Sequence, residues 1–546
     1  MGITKNIIKK NFFRDSVQMM LLSDELKKEH GVINAAIIMG TELNKNTLQR
    51  SGLLTIDGNK ASETDTIISL TCVNESSLNL AIGKAEQLLT PKTGKGRSEF
   101  SNLDSALKSF NIANLAIVSI PGRYVKSIAS ELLNKGLHLF VFSDHVLLED
   151  EIQLKKLASK NHLLLMGPEA GTSIINGTVL GFGNQVRRGN VGIIGASGTG
   201  IQESSVLLDM CGSGVSHAIG VGGRDMHQEI GGLMTLQAIK ALEYDPETEI
   251  VLLVSKPVDN AVRDMILNTI KENAKKKYAL CLIGDKRGDD LFDSGQIVFA
   301  KSIQSSVLKA LKLSNPNAYK NTQERFSKEL HHAISLTKEL SNHLSGRQRY
   351  IRGFFAGGTL CYESTAIIQQ MIEGRGEKIY SNLAPTDSEL HLNGKKKSVE
   401  HTFLDFGDFE FTAARPHPII DPSLRVERIL EEASDPNIAV IIIDIITGYS
   451  VANNTVQLHA DSIKEAISIA KEGENRTLPV FVYLCGTYKD VSASEIDILK
   501  ASGAQVFRSN ALMSFAAGLL VKHTEDYEQL KKITTIYLGE GLEWPR

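Results

Sequence analysis

The chain is short of almost everything that would mark a specialised class. Five cysteines (Cys72, Cys211, Cys281, Cys361, Cys485) are scattered over 546 residues with no CxxC pair and no Cys/His metal spacing. That pattern excludes a disulfide scaffold and a zinc site, and no metal is expected. Sixty basic against sixty-three acidic residues leave a net charge of −3. No global field therefore points to nucleic acid, and the basic runs at 92–97 and 395–397 are short and lack aromatic neighbours. No apolar run approaches the ~18 residues of a membrane span, and the opening Met-Gly-Ile-Thr-Lys-Asn lacks the hydrophobic core of a signal peptide. A cytoplasmic protein without membrane or nucleic-acid partners is expected. A glycine-rich first turn of the GxGxxG type is also missing, which argues against a standard dinucleotide site.

What is present is ordinary core-forming material, 42% hydrophobic and 23% charged, and one unusual junction that occurs twice. Val191-Gly-Ile-Ile-Gly-Ala-Ser-Gly-Thr199 reads as a buried strand running into a glycine turn and a helix start. Ala356-Gly-Gly-Thr-Leu-Cys-Tyr-Glu363 repeats its last part. Such a junction offers unpaired backbone N–H groups, the positive end of a helix dipole and hydroxyls, a combination suited to a phosphate or carboxylate. A shift of 160 superposes Ala356 to Thr359 on Ala196 to Thr199 and Glu363 on Glu203. A shift of 190 places His417 on His227, Ile420 on Ile230 and Asp435-Pro436 on Asp245-Pro246. The difference is an insertion in the second copy, assigned to the stretch holding Gly394 to Lys397. Repetition on this scale means two homologous domains related by a pseudo-twofold axis.

Read in order, residues 1–90 give strands at Ile7 to Val17, Ile33 to Met39 and Thr66 to Val73 with helices at Met19 to Lys28 and Leu78 to Leu89, a small α+β domain of ferredoxin-like or ACT-like type. A polar linker at 90–98 follows. Strands alternating with helices across 100–188 predict a doubly wound, parallel, Rossmann-like sheet. The first repeat spans 189–313, a polar helical linker 314–349, and the second repeat 350–546.

The "S-G-T" helix start with its following glycine turn (Gly220-Val-Gly-Gly-Arg-Asp-Met-His227), the Met166-Gly-Pro168 and Gly177 to Gly181 segments, and Phe403-Leu-Asp-Phe-Gly407 with Ile441 to Thr447 resemble the succinyl-CoA synthetase superfamily. Within it they resemble the FdrA family of acyl-CoA synthetase-like proteins. The resemblance covers about residues 103 to 540. It implies an α/β chain in which the Rossmann-like, CoA-binding-like domain is followed by two flavodoxin-like CoA-ligase domains. The sequence departs from the synthetases in three places. Where they carry a phosphohistidine loop, this chain reads Ile283-Gly-Asp-Lys-Arg-Gly-Asp-Asp290. No ATP-grasp domain precedes the second repeat, and the glycine turn for the nucleotide part of CoA is missing.

The resemblance further implies a subunit of an oxamate carbamoyltransferase in allantoin (purine) catabolism, working with two further protein subunits in an oligomer. Oxalurate and phosphate would there exchange with oxamate and carbamoyl phosphate, without ATP, CoA or a phosphohistidine. Phosphate or carbamoyl phosphate is then the expected ligand, and CoA only under the alternative of an acid-CoA ligase completed by partners. A non-catalytic metabolite-binding scaffold is the third reading. Ser197, Gly198, Thr199, Gly357, Gly358 and Thr359 are the candidate phosphate contacts, since hydroxyls donate to oxyanions and glycines admit the backbone closely. His227 and His417, matched in register, are candidate catalytic acid/base groups, and Arg224 and Arg415 candidate carboxylate clamps. Glu203 and Glu363 are expected to favour their helix starts, and Cys361 to be a packed, inert thiol.

Overall fold

A computed structural model describes the whole chain except residues 1, 11, 13–15, 63–64, 90–99, 101, 286–294, 375, 395, 413–415, 453, 522–526 and 546. The expected linker at 90–98, the 92–97 basic run, Lys395, Arg415 and the segment 286–290 therefore lie outside the described residues. The chain divides into two compact units: Met1–Ala113 with Thr412–Pro416, and Asn114–Phe411 with His417–Arg546.

The first unit runs β1 (Ile3–Lys9), α1 (Ser16–Lys27), β2 (Val32–Met39), α2 (Glu42–Arg50), β3 (Thr66–Cys72), α3 (Glu75–Leu89) and α4 (Leu103–Ser109). Its antiparallel sheet has the order β1-β3-β2. The central strand is apolar on both faces because both are covered. Ile68, Leu70 and Cys72 meet Leu26, Leu78 and Ala85 on one side, and Ile67 meets Leu48 and Leu53 on the other. The first strand is shorter than the alternation suggested: it ends at Lys9, before a second lysine, and Val17 is already helical. The helix α2 was missed, although Thr41 caps it by accepting the Asn44 N–H.

The second unit contains three sheets. Its elements are β4 (Leu115–Val118), α5 (Gly122–Asn134), β5 (His138–Val141), α6 (Leu148–Lys160), β6 (Leu165–Met166), β7 (Thr172–Ile175), β8 (Thr178–Gly181), β9 (Arg188–Gly195), α7 (Gly198–Met210), β10 (Val215–Gly220), α8 (Leu233–Tyr244), β11 (Ile250–Ser255), α9 (Asn260–Asn273), β12 (Lys277–Leu282), β13 (Ile297–Ala300), α10 (Ile303–Ser314) and α11 (Pro316–Ser341). They continue with β14 (Tyr350–Phe355), α12 (Gly358–Met371), β15 (Ile379–Ser381), β16 (His401–Asp405), α13 (Phe409–Thr412), α14 (Ser423–Glu432), β17 (Ile438–Ile446), α15 (Thr455–Glu474), β18 (Val480–Cys485), α16 (Ala493–Ala501), β19 (Ala504–Phe507), α17 (Asn510–Val521) and α18 (Tyr527–Ile533).

The parallel sheet β4-β5-β6 is the small Rossmann-like layer. The other two sheets share one parallel plan, β13-β12-β11-β9-β10 against β19-β18-β17-β14-β16. On the open edge of the first, the antiparallel hairpin β7-β8 joins β10; on that of the second, β15 joins β16. The strands read as near-continuous apolar runs because helices cover both faces; all nine residues of β17, Ile438–Ile446, are buried. The repeat extends to single hydrogen bonds. Ile230 and Gly231 donate to the His227 carbonyl, and Ile420 and Asp421, each shifted by 190, donate to that of His417. The stretch expected as a helical linker is mostly α11, capped by Asn315. It is packed, with Phe326, Leu330 and Ala333 buried against the α10 and α17 layer.

Candidate functional site

Each glycine turn stands at the C-terminal end of the central strand of its sheet, β9 in one and β14 in the other, where parallel α/β sheets present ligands. The two turns face one another. A Cβ added at Gly357 would stand 2.4 Å from Thr199 Oγ1, and one added at Gly200 would stand 3.2 Å from Thr359 Cγ2. Each threonine thus lies against the other turn's backbone, an approach that glycine allows and a side chain at Gly357 would force apart. The first N–H groups of α7 and α12 have no intrahelical partners, so two helix starts bring unpaired donors and two positive dipole ends to one place.

Hydroxyls ring the same place. Ser197 Oγ and Thr199 Oγ1 are 3.4 Å apart. Thr359 is wholly buried, and its Oγ1 has no hydrogen-bond partner. Thr172 Oγ1 is likewise buried without a partner, 3.1 Å from where a Cβ at Gly198 would lie. Two orphaned buried hydroxyls beside two helix starts are what a site shaped for an oxyanion would present, because an unpaired buried hydroxyl otherwise costs stability.

Side chains absent from the sequence reading complete the cluster. Lys256, just past the end of β11, brings its Nζ to within 2.5 Å of a Cβ built on Gly358, and Asp405 Oδ2 lies at the same 2.5 Å. The Lys256 ammonium is also over the Tyr362 ring, 5.8 Å from its centroid. Burial pushes the Asp405 carboxyl up to about 6, against the Lys256 charge and the Gly407 N–H that it accepts. Behind the second turn, Asp444 accepts the N–H groups of Ala356 (2.7 Å) and Gly357 (3.1 Å). Arg425 binds Asp444 Oδ1 and its carbonyl and donates to His459 Nε2 at 2.6 Å. His459 Nδ1 donates to the Thr455 carbonyl at 2.7 Å. Burial and then the arginine hold this imidazole down at about 3, so it is neutral and can accept. This buried relay fixes the second turn. The first has no counterpart: Val254 stands where the 190 shift would put an aspartate, and its carbonyl takes the Ala196 N–H.

The remaining candidates separate. His417 is half-buried beside the site, its Nε2 2.6 Å from a Cβ built on Gly407. Burial and the Arg425 charge push it down to about 4, leaving a neutral imidazole. His227 is exposed. Arg224 is turned away into a buried ionic cluster, with Nε 2.7 Å from Glu151 Oε2 and Nη2 donating to the Val146 carbonyl. Lys155, wholly buried, joins Glu151 to Asp225 in that cluster. Arg415 lies outside the described residues. Burial raises the Cys361 thiol well above its ordinary value, against any role as a nucleophile.

Glu203 and Glu363 do not cap their own helices. Glu203 Oε1 accepts the Asn510 N–H at the start of α17 (3.0 Å), and Glu363 Oε1 accepts the Ile303 N–H at the start of α10 (2.7 Å). Each glutamate therefore caps a helix of the other repeat, and Asn510 Nδ2 also donates to Glu363 Oε2 at 2.8 Å. Burial pushes Glu363 up to about 7, the Asn510 and Ile303 donors opposing it, and burial with the Glu363 charge raises Glu203 well above the carboxylate range. The pair locks the two repeats together directly behind the facing turns.

This architecture is that of an acyl-CoA synthetase-like protein. Residues 186–275 match the family model of the CoA binding domain and residues 354–520 that of CoA-ligase. Residues 1–104 match the model described as AllF, heavy metal-associated domain. The chain belongs to the family of the uncharacterized protein YahF of Escherichia coli (strain K12), to which it is 40% identical over 494 residues, 90% of this chain and 93% of that one. It is also 30% identical over 175 residues to the ADP-forming succinate–CoA ligase subunit alpha of Aquifex aeolicus (strain VF5), covering 30% of this chain and 56% of that subunit. A solved structure, PH0766 from Pyrococcus horikoshii OT3, aligns at 17% identity and a TM-score of 0.31, covering 77% of this chain and 85% of that one.

The metal that the match of residues 1–104 brings to mind fits poorly. Residues 1–104 contain one cysteine, Cys72, and one histidine, His30, and among the described residues no cluster of His, Cys, Asp or Glu could hold a metal ion. Among the described residues no helix is long and apolar enough to cross a membrane.

Proposed function

We propose that this chain is a carbamoyltransferase subunit that holds phosphate between the starts of α7 and α12 and exchanges a carbamoyl group between phosphate and an oxamate-type acceptor. The observation that carries the reading is the face-to-face approach of the two glycine turns, with Lys256 and the unpartnered Thr359 hydroxyl at the same spot. The match of residues 1–104 to a model named for AllF supports it further, as does the resemblance to proteins of allantoin breakdown.

In this scheme a phosphate oxygen attacks the ureido carbonyl of oxalurate, and the C–N bond to the oxamate nitrogen breaks. That nitrogen takes up a proton as carbamoyl phosphate forms. The N–H groups of Gly198, Thr199, Gly358 and Thr359, with the Ser197, Thr199 and Thr359 hydroxyls, grip the phosphate. The Lys256 ammonium balances its charge. Asp405, poised near 6, is the group suited to deliver the proton and, in reverse, to take it from the weakly acidic amide. His417, neutral and beside Gly407, orients the acceptor carboxylate only as a hydrogen-bond donor. Catalysis of this kind needs no nucleotide and no phosphoenzyme.

A second reading, an acid-CoA ligase completed by partner subunits, is favoured by the match to the succinate–CoA ligase alpha subunit. It requires the partners to supply both the grip on CoA and the handling of ATP. Purified chain, alone and co-expressed with its genomic neighbours, incubated with carbamoyl phosphate and oxamate, separates the two. Phosphate release with oxalurate formation supports carbamoyl transfer; ADP formation that depends on CoA and an acid supports the ligase. No turnover in any combination refutes both and leaves a binding scaffold.

A further inference from the structure

We propose that a cleft between the Rossmann-like layer and the first repeat is a second small-molecule site, taking a neutral, planar amide or N-heterocycle. The cleft encloses about 290 Å³, room for roughly ten waters at the ~30 Å³ each occupies in the liquid. Its lining includes Leu115, Met166, Ile219 and Leu242 and the polar residues Asn114, His138, His217 and Asp245. An apolar slot with a few convergent polar groups at a junction of layers is the usual form of a metabolite site.

The chemistry of its occupant follows from the hydrogen bonds already made. His138 Nδ1 accepts the Leu164 N–H at 2.9 Å, and His217 Nδ1 accepts the Asn176 N–H at 3.1 Å. Each neutral imidazole therefore carries its proton on Nε2. Burial lowers both histidines, which keeps them in that neutral form. The Nε2–H of His217 faces Asp245 Oδ2 at 3.7 Å, while that of His138 has no partner among the described residues and is left for a ligand acceptor. Burial disfavours the Asp245 charge, but the Thr248 hydroxyl and the Glu247 N–H hold its carboxyl below the ordinary range. The cleft thus offers one N–H donor and one fixed carboxylate across an apolar slot. A carbonyl beside an N–H satisfies both, and an anion of the same shape meets the carboxylate.

The cleft is lined by none of the residues of the facing turns. Leu115 and His138 begin β4 and β5, and Asp245 caps the C-terminal end of α8, whereas the turns follow the C-terminal ends of β9 and β14. It is placed as an effector site, and its test is independent of what happens at the phosphate site.

Met166 is buried in the cleft wall, so the full chain labelled with 13C-methyl methionine and assigned through Met166→Leu carries its own reporter. Benzamide, a planar neutral amide, is expected to shift the Met166 methyl resonance and to bind about tenfold tighter than isosteric benzoate. Asp245→Asn should bring the two affinities together. Ala241→Trp, at an exposed lining position of α8, should abolish the shift while leaving the other methionine resonances in place. The proposal is overturned if benzamide leaves Met166 unmoved, if benzoate binds as tightly, or if Ala241→Trp responds like the wild type.

Discussion

Thr359→Val should move stability and phosphate affinity in opposite directions. The Thr359 side chain is fully buried and its hydroxyl has no hydrogen-bond partner. Without ligand, that hydroxyl contributes only its desolvation penalty, about 1 to 3 kcal/mol. Valine has nearly the same shape, so neither a cavity nor a clash offsets the gain. The variant should unfold later in urea, by about 1 kcal/mol or more at unchanged m-value. In the phosphate complex the same hydroxyl donates to a charged oxygen, worth about 1.5 to 3 kcal/mol. Phosphate affinity should therefore fall by about ten- to a hundredfold, read by titration calorimetry. Thr199→Val serves as the contrast. Its hydroxyl has the Ser197 Oγ as a neighbour, so its removal should weaken phosphate binding without the gain in stability. If Thr359→Val destabilises the free protein, or binds phosphate as the wild type does, the hydroxyl is not held in reserve for an anion and the reasoning fails.

Other consequences follow from the same geometry. Lys256→Met should weaken phosphate binding about tenfold at low salt, with the ratio to wild type shrinking as ionic strength rises, because an ammonium at a part-exposed site acts through a screened charge; a salt-independent ratio would show that Lys256 acts only by packing. The Asp405 carboxyl is raised from the free value to about 6, so the folded state binds the extra proton between about pH 4 and 6. Stability should accordingly fall as pH rises through that window, and in Asp405→Asn this contribution should be absent; equal pH dependence in both proteins, measured by urea unfolding, would refute the burial. Glu363→Ala removes the acceptor of the Ile303 N–H and the Asn510 amide and should cost about 2 to 4 kcal/mol, visible as a lowered thermal midpoint. Because both buried glutamates are raised, stability should decline as pH rises from about 4.5 to about 7, and Glu203→Gln should flatten that decline.

The architecture was legible in the sequence where periodicity and repetition spoke together. The 160 and 190 shifts correspond to matching strands, helices and turn hydrogen bonds, since a duplicated fold keeps its backbone even where side chains diverge. That divergence is why the site was harder to read. His227 and His417 share a backbone setting, yet His227 is exposed while His417 packs against Gly407, because the register of a loop does not fix where its side chain goes. Arg224 looked like a carboxylate clamp for a ligand and instead clamps Glu151, a carboxylate 73 positions upstream in the chain. Lys256 carries no motif and Asp405 stands within Phe403-Leu-Asp-Phe-Gly407 without being singled out there, but both stand where strands of a parallel sheet end, on the side where ligands bind, and that rule applied to β11 and β16 would have found them. Nothing local could have announced the exchanged caps of Glu203 and Glu363, whose partners are 307 and 60 residues away.

The central claim is that one anion is held jointly by two helix starts from the two repeats. Diffraction from crystals of this protein grown in phosphate tests it most directly. The account predicts a single tetrahedral anion within hydrogen-bonding distance of both the Gly198–Thr199 and the Gly358–Thr359 backbone. Saturating phosphate that leaves that space empty, or an anion touching one turn alone, would contradict it.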